Sequence, residues 1–153
     1  MFAPRRIMVM VCGAALGLAA CGSAPEENSG GDAYRNEAQS MPLDEWVTGE
    51  LDLDGGDTTD WKSIDLEASG KLMVELKADK KGAVVHVGVY DKHGLALGYG
   101  TRKAGAELLS VPVKAAAEGR YFVRIVHKDG AKTVYSVRAV MDDSGGGDAV
   151  PDL

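Results

Sequence analysis

The chain has 153 residues, 45% hydrophobic and 26% charged, with 17 Lys or Arg against 23 Asp or Glu for a net charge of −6. That length accommodates one domain, and the acidic balance argues against a nucleic-acid partner, which would need a compensating basic face. The two cysteines, Cys12 and Cys21, both lie near the N-terminus, so residues 22–153 hold no disulfide, no thiolate nucleophile and no cysteine-ligated metal.

The first predicted element is an export signal. Arg5 and Arg6 precede an apolar stretch over 7–20, shorter than the roughly 20 residues that span a bilayer. A positive head, a short apolar core and small residues at its end define a secretory signal peptide. The run Leu18-Ala19-Ala20-Cys21-Gly22 resembles the lipobox of bacterial lipoproteins. The resemblance implies cleavage before Cys21 and a diacylglycerol on its thiol, a covalent lipid that anchors the chain to a membrane. Gly22, in place of the Asp that retains some lipoproteins at the inner membrane, favours the outer membrane. Cys12 competes poorly, because bulky Val11 and only five apolar residues precede it.

Composition divides the remainder. Residues 1–20 are the signal, and 21–42 are the lipidated cysteine and a tether rich in Gly, Ser, Asn and Glu. Residues 43–141 are the domain, and 142–153 an acidic tail expected to be disordered. The domain carries 14 Lys or Arg and 15 Asp or Glu, a balance of −1, whereas tether and tail together carry −7. The acidity therefore belongs to the ends, and the domain is expected to be a monomer.

Within 43–141 apolar residues recur with period two, the strand signal. Val47, Leu51 and Leu53 alternate with Thr48, Glu50 and Asp52; Leu72, Val74 and Leu76 with Met73, Glu75 and Lys77; Val85, Val87 and Val89 with His86, Gly88 and Tyr90. Leu109, Val111 and Val113 follow, then Tyr121, Val123 and Ile125, then Tyr135, Val137 and Ala139. Turn residues separate them at 54–57, 80–82, 91–94, 118–119 and 128–130. Ala115-Ala116-Ala117 reads as one brief helical turn. Short strands between regular turns predict an all-β fold, a single antiparallel, jelly-roll-like β-sandwich of about eight strands.

The order of these segments resembles the bacterial pre-peptidase C-terminal domain, a β-sandwich appended to many secreted peptidases. Val47-Thr48-Gly49-Glu50-Leu51 followed by Gly56-Asp57-Thr58-Thr59-Asp60-Trp61 is similar to its opening "G-x-L…G-D-x-D-W". Gly70-Lys71-Leu72-Met73-Val74, Val89-Tyr90-Asp91, Gly119-Arg120-Tyr121-Phe122-Val123 and Tyr135-Ser136-Val137 match four further segments in order. The usual acidic "D-L-D" is replaced by Gly82-Ala83-Val84-Val85-His86. The family carries no catalytic residues to transfer.

The polar residues themselves agree. No serine sits in a G-x-S-x-G elbow, and His86, His93 and His127 lack zinc-ligand spacing and read as surface imidazoles. The expectation is a non-enzymatic accessory module at the cell envelope, without a catalytic site or dissociable cofactor, presenting its sandwich to an envelope or secreted protein. The alternative is calcium-dependent binding of matrix protein or polysaccharide. Asp52, Asp54, Asp57 and Asp60 lie within nine residues of a Gly-bearing loop, and calcium takes six to eight oxygen ligands. The pattern is not an EF-hand, because Ser63 stands where a bidentate Glu is needed. Trp46, Tyr90 and Tyr99 are the candidate exposed aromatics for a partner.

Overall fold

The computed structural model describes residues 30–142; the signal at 1–20, Cys21, residues 22–29 and the tail from 143 lie outside the described residues. The described chain forms nine strands: β1 (Gln39–Ser40), β2 (Val47–Leu51), β3 (Thr59–Leu66), β4 (Gly70–Ala78), β5 (Val84–Asp91), β6 (Ala96–Arg102), β7 (Leu109–Ala116), β8 (Gly119–Asp129) and β9 (Thr133–Asp142). They pair into a five-stranded sheet, β1-β3-β8-β5-β6, and a four-stranded sheet, β2-β9-β4-β7. Every pairing between these strands is antiparallel except β1 with β3. The result is the expected all-β sandwich.

Alternation decides which side chains form the core. Register aligns Val87 with Ile125 across β5 and β8, and Leu76 with Val137 across β4 and β9. The inward set of Leu72, Val74, Leu76, Val85, Val87, Val89, Val123, Ile125, Val137 and Ala139 is almost completely buried, each larger aliphatic contributing about 1.5–3 kcal/mol. Two tyrosines close the core. Tyr121 donates its hydroxyl to the Ala117 carbonyl and accepts from the Ala117 amide, both at 2.9 Å, fixing the turn between β7 and β8. Tyr135 lies fully buried, its ring over Gly49 of the neighbouring strand, its hydroxyl donating to Asp60 Oδ2.

Three expectations are corrected. The tether was expected to run to residue 42, but its second half packs onto the sandwich. Asp32 is 2% exposed and binds the buried Lys62 Nζ at 2.6 Å, while Gln39 accepts from the same ammonium at 2.9 Å. A lysine inside a sheet requires a counter-charge, and Asp32 supplies it. The Asp32 carbonyl accepts from the Trp61 amide, and Met41 is buried with its amide on the Ser63 carbonyl. The segment 30–42 is thus a strap along the β3 edge. Where a helical turn is expected at 115–117, β7 instead runs on to Ala116, which pairs with Gly70, and Ala117 opens the turn to β8. Strand β6 was not predicted, because its inward positions are Gly98, Gly100 and the charged Arg102. A Cβ on Gly98 would meet the Pro112 carbonyl oxygen at 2.9 Å, and one on Gly100 would meet Leu109 Cδ1 at 2.9 Å. The facing atom at Gly98 is backbone, so a side chain there has no room, and two glycines in succession on the inward side erase the apolar alternation.

Candidate functional site: an aromatic and arginine face

The outward side of the five-stranded sheet is built in rows by register. One row runs Trp61, Arg124, Gly88, Tyr99 across β3, β8, β5 and β6. The next runs Ser63, Phe122, Tyr90, and the one on the other side Thr59, Val126, His86, Thr101. Gly88 leaves a gap in the central row, and the Tyr90 ring leans back into it: a Cβ there would come within 2.8 Å of Tyr90 Oη. Tyr90 thereby reaches Trp61, ring centroids 5.4 Å apart at 45°.

Cations complete the surface. Arg124 Cζ lies 5.7 Å from the Trp61 ring centroid, and Arg35, from the strap, lies 5.5 Å from that of Phe122. Tyr99 is 76% exposed, with His86 beside it at 6.2 Å. His86 Nδ1 is 2.9 Å from Thr101 Oγ1. Burial, then the charges of Lys128 and Arg124, hold the His86 imidazole below its ordinary pKa. Asp65 is bonded by Arg120 through Nε at 2.7 Å and Nη2 at 2.8 Å. Arg35, Arg124 and Lys128 take part in no ion pair among the described residues. A nearly neutral domain therefore turns a positive, aromatic-rich face outward. Trp, Tyr and Arg are the residues that dominate binding energy at protein interfaces.

Of the three predicted aromatics, Tyr90 and Tyr99 share this face. Trp46 lies on the other sheet, where Lys77 Nζ and Arg138 Cζ each sit 4.7 Å from its ring centroid. Arg138 is in turn held by Glu75 at 2.6 Å. Sequence reasoning missed Phe122, Arg124 and Arg35. The outward alternation of Phe122 and Arg124 against Tyr121, Val123 and Ile125 was the available signal.

The four loop aspartates do not come together as one ligand set. Asp52 Oδ1 accepts from the Gly55 amide at 3.0 Å, Asp54 is exposed, Asp57 is buried, and Asp60 faces the interior as the acceptor of Tyr135. No group of three or more His, Cys, Asp or Glu among the described residues is arranged to hold a metal ion. Asp60 instead belongs to a buried polar network with Tyr135, Lys62 and Asp32. Burial above all, with the nearby charges of Asp32 and Asp57, pushes its carboxyl up to about 7 against the Tyr135 hydrogen bond and Lys62. The Tyr135 phenol is raised, by burial first and then by Asp60. The histidines also part ways: His93 is exposed and His86 half-buried, but His127 is 2% exposed rather than a surface imidazole. It continues the inward alternation of Val123 and Ile125.

No family profile and no curated protein matches the chain. Among solved structures it is similar to the pre-peptidase C-terminal domain of a collagenase from Bacillus anthracis, with a TM-score of 0.57 and 17% identity over 67% of this chain and 93% of that one. The likeness is one of fold: this chain carries a β-sandwich like that of the pre-peptidase C-terminal domain.

Proposed function

We propose that this protein is a non-enzymatic accessory lipoprotein of the cell envelope, anchored through lipid on Cys21 to the outer membrane. It presents the outer face of its five-stranded sheet to an envelope or secreted protein. The observation that carries the reading is the row of Trp61, Arg124 and Tyr99, with Tyr90 leaning in from the next row, which gathers hot-spot side chains on one face. The anchor rests on the Leu18-Ala19-Ala20-Cys21 pattern.

A photo-crosslinking amino acid at Tyr99 should capture one envelope protein in living cells, and Arg124→Glu should abolish that adduct. The same probe at Trp46, on the other sheet, should capture none of it. Identical adducts from both positions, or none at Tyr99, would refute the face. Separately, a radiolabelled fatty acid should enter the wild type and not Cys21→Ser; label in the mutant would refute the anchor.

A further inference from the structure

One corner of this face has a chemistry of its own. The turn at 91–95 is rigid: Asp91 Oδ1 accepts from the His93 and Leu95 amides at 2.8 Å each, and the Gly94 amide reaches the Asp91 carbonyl at 3.0 Å. It holds Leu95 out at 64% exposure beside the exposed Lys92. The strap meets the turn here, because a Cβ on Gly94 would come within 2.5 Å of Arg35 Nη1. Tyr34, next to Arg35 in the chain, is 51% exposed. The corner therefore exposes Leu95 and Lys92 on a turn that the Arg35 guanidinium reaches, with Tyr34 exposed next to Arg35 in the chain, and its acid, Asp91, is turned to backbone amides.

The strap also fixes how near a membrane this corner sits. Were the tether free to residue 42, the reach from Cys21 to the domain would be about 75 Å at full extension. With Asp32 pinned to Lys62, only the nine steps from Cys21 to Gly30 remain before the described strap, at most about 30 Å. The corner is carried on that same strap, four residues beyond Gly30.

We infer that the corner formed by Tyr34, Arg35, Lys92 and Leu95 docks onto an anionic bilayer surface, so that the module stands in one orientation on the membrane. The inference rests on the Cys21 anchor proposed above. Tyrosine and leucine suit the headgroup boundary, and Arg and Lys are drawn to the negative surface potential of anionic lipid. The remaining face, with Trp61, Arg124 and Tyr99, then stays open to a protein.

The test uses the full lipidated chain in vesicles, with Leu95→Cys carrying an environment-sensitive NBD label. Lys81→Cys, beyond the opposite end of β5, is the control. With 30% phosphatidylglycerol the label at 95 should shift to the blue and brighten, and the label at 81 should not. Arg35→Glu with Lys92→Glu should remove the shift while the protein stays vesicle-bound. Water-like emission at 95, equal shifts at 95 and 81, or an equal shift on pure phosphatidylcholine would overturn the inference. So would a shift that follows protein density rather than lipid charge, which would place a second copy at the corner. Failure of the anchor itself reads differently: the wild-type chain would then take up the thiol label at Cys21.

Discussion

Asp60→Asn is the sharpest probe of the buried network, since it keeps the shape and the acceptor for Tyr135 while removing the ionisation. Asp60 is 3% exposed and its carboxyl titrates near 7 in the folded protein, against about 3.9 when unfolded. A raised carboxyl means that the native state holds a proton the unfolded chain has released. Stability from this group is thus complete below about pH 4 and is lost as pH rises toward 7. The gap between the folded and unfolded values is worth several kcal/mol. His86 acts oppositely: its depressed value adds stability as pH rises through the ordinary histidine range, so the wild-type curve alone is a mixture. The difference between wild type and Asp60→Asn isolates the carboxyl. Urea unfolding followed by circular dichroism at pH 4.5, 5.5, 6.5 and 7.5 should show the mutant gaining on the wild type by several kcal/mol across the series. A constant difference would refute the assignment of Asp60 as the buried proton carrier.

Lys62→Met should cost about 3–5 kcal/mol by leaving Asp32 buried without its counter-charge, and limited proteolysis should then cut within 30–42 before the sandwich; a protected strap would mean that the ion pair does not hold it. Gly49→Ala should lower stability by about 1–3 kcal/mol, because a Cβ there overlaps the Tyr135 ring, and an unchanged melting temperature would contradict that close contact. His127→Leu should leave the fold intact and raise stability by about 1 kcal/mol, since neither ring nitrogen has a hydrogen-bond partner among the described residues; a loss of stability would show the imidazole to be satisfied. Calcium at 5 mM should leave the melting temperature unchanged, and a rise abolished by Asp54→Asn would restore the loop as a ligand set.

The sandwich was legible wherever large side chains alternate. β4, β5, β8 and β9 bury the predicted Val, Leu, Ile and Tyr faces, because period-two patterning and side-chain volume express the same constraint there. The pattern failed at β6, where two successive inward positions are glycine, and at residues 30–42, where polar composition concealed a docked strap. Asp32 and Lys62 are 30 positions apart, and nothing local to either announces the other. The acidic loop was legible in part for a related reason: spacing shows that Asp52, Asp54, Asp57 and Asp60 are near one another in sequence, but strand alternation turns Asp60 into the core. The aromatic face was half visible. Tyr90 and Tyr99 stood out as rings off the core face, but Trp61 and Arg124 join them only through the order of strands across the sheet.

The parallel pairing of β1 with β3 has a mechanical consequence. Tension applied at residue 30 acts first on the strap, whose hydrogen bonds to β3 and whose Asp32–Lys62 pair lie in series before the sandwich. Under such a pull the strap peels first, taking β1, Met41 and the counter-charge of Lys62 with it while β2 to β9 stay paired, and up to 13 residues of slack are released. A tug from the N-terminal side would therefore lengthen the connection by tens of ångströms and leave the folded body whole, so that the strap behaves as a fuse and the sandwich as the part it protects.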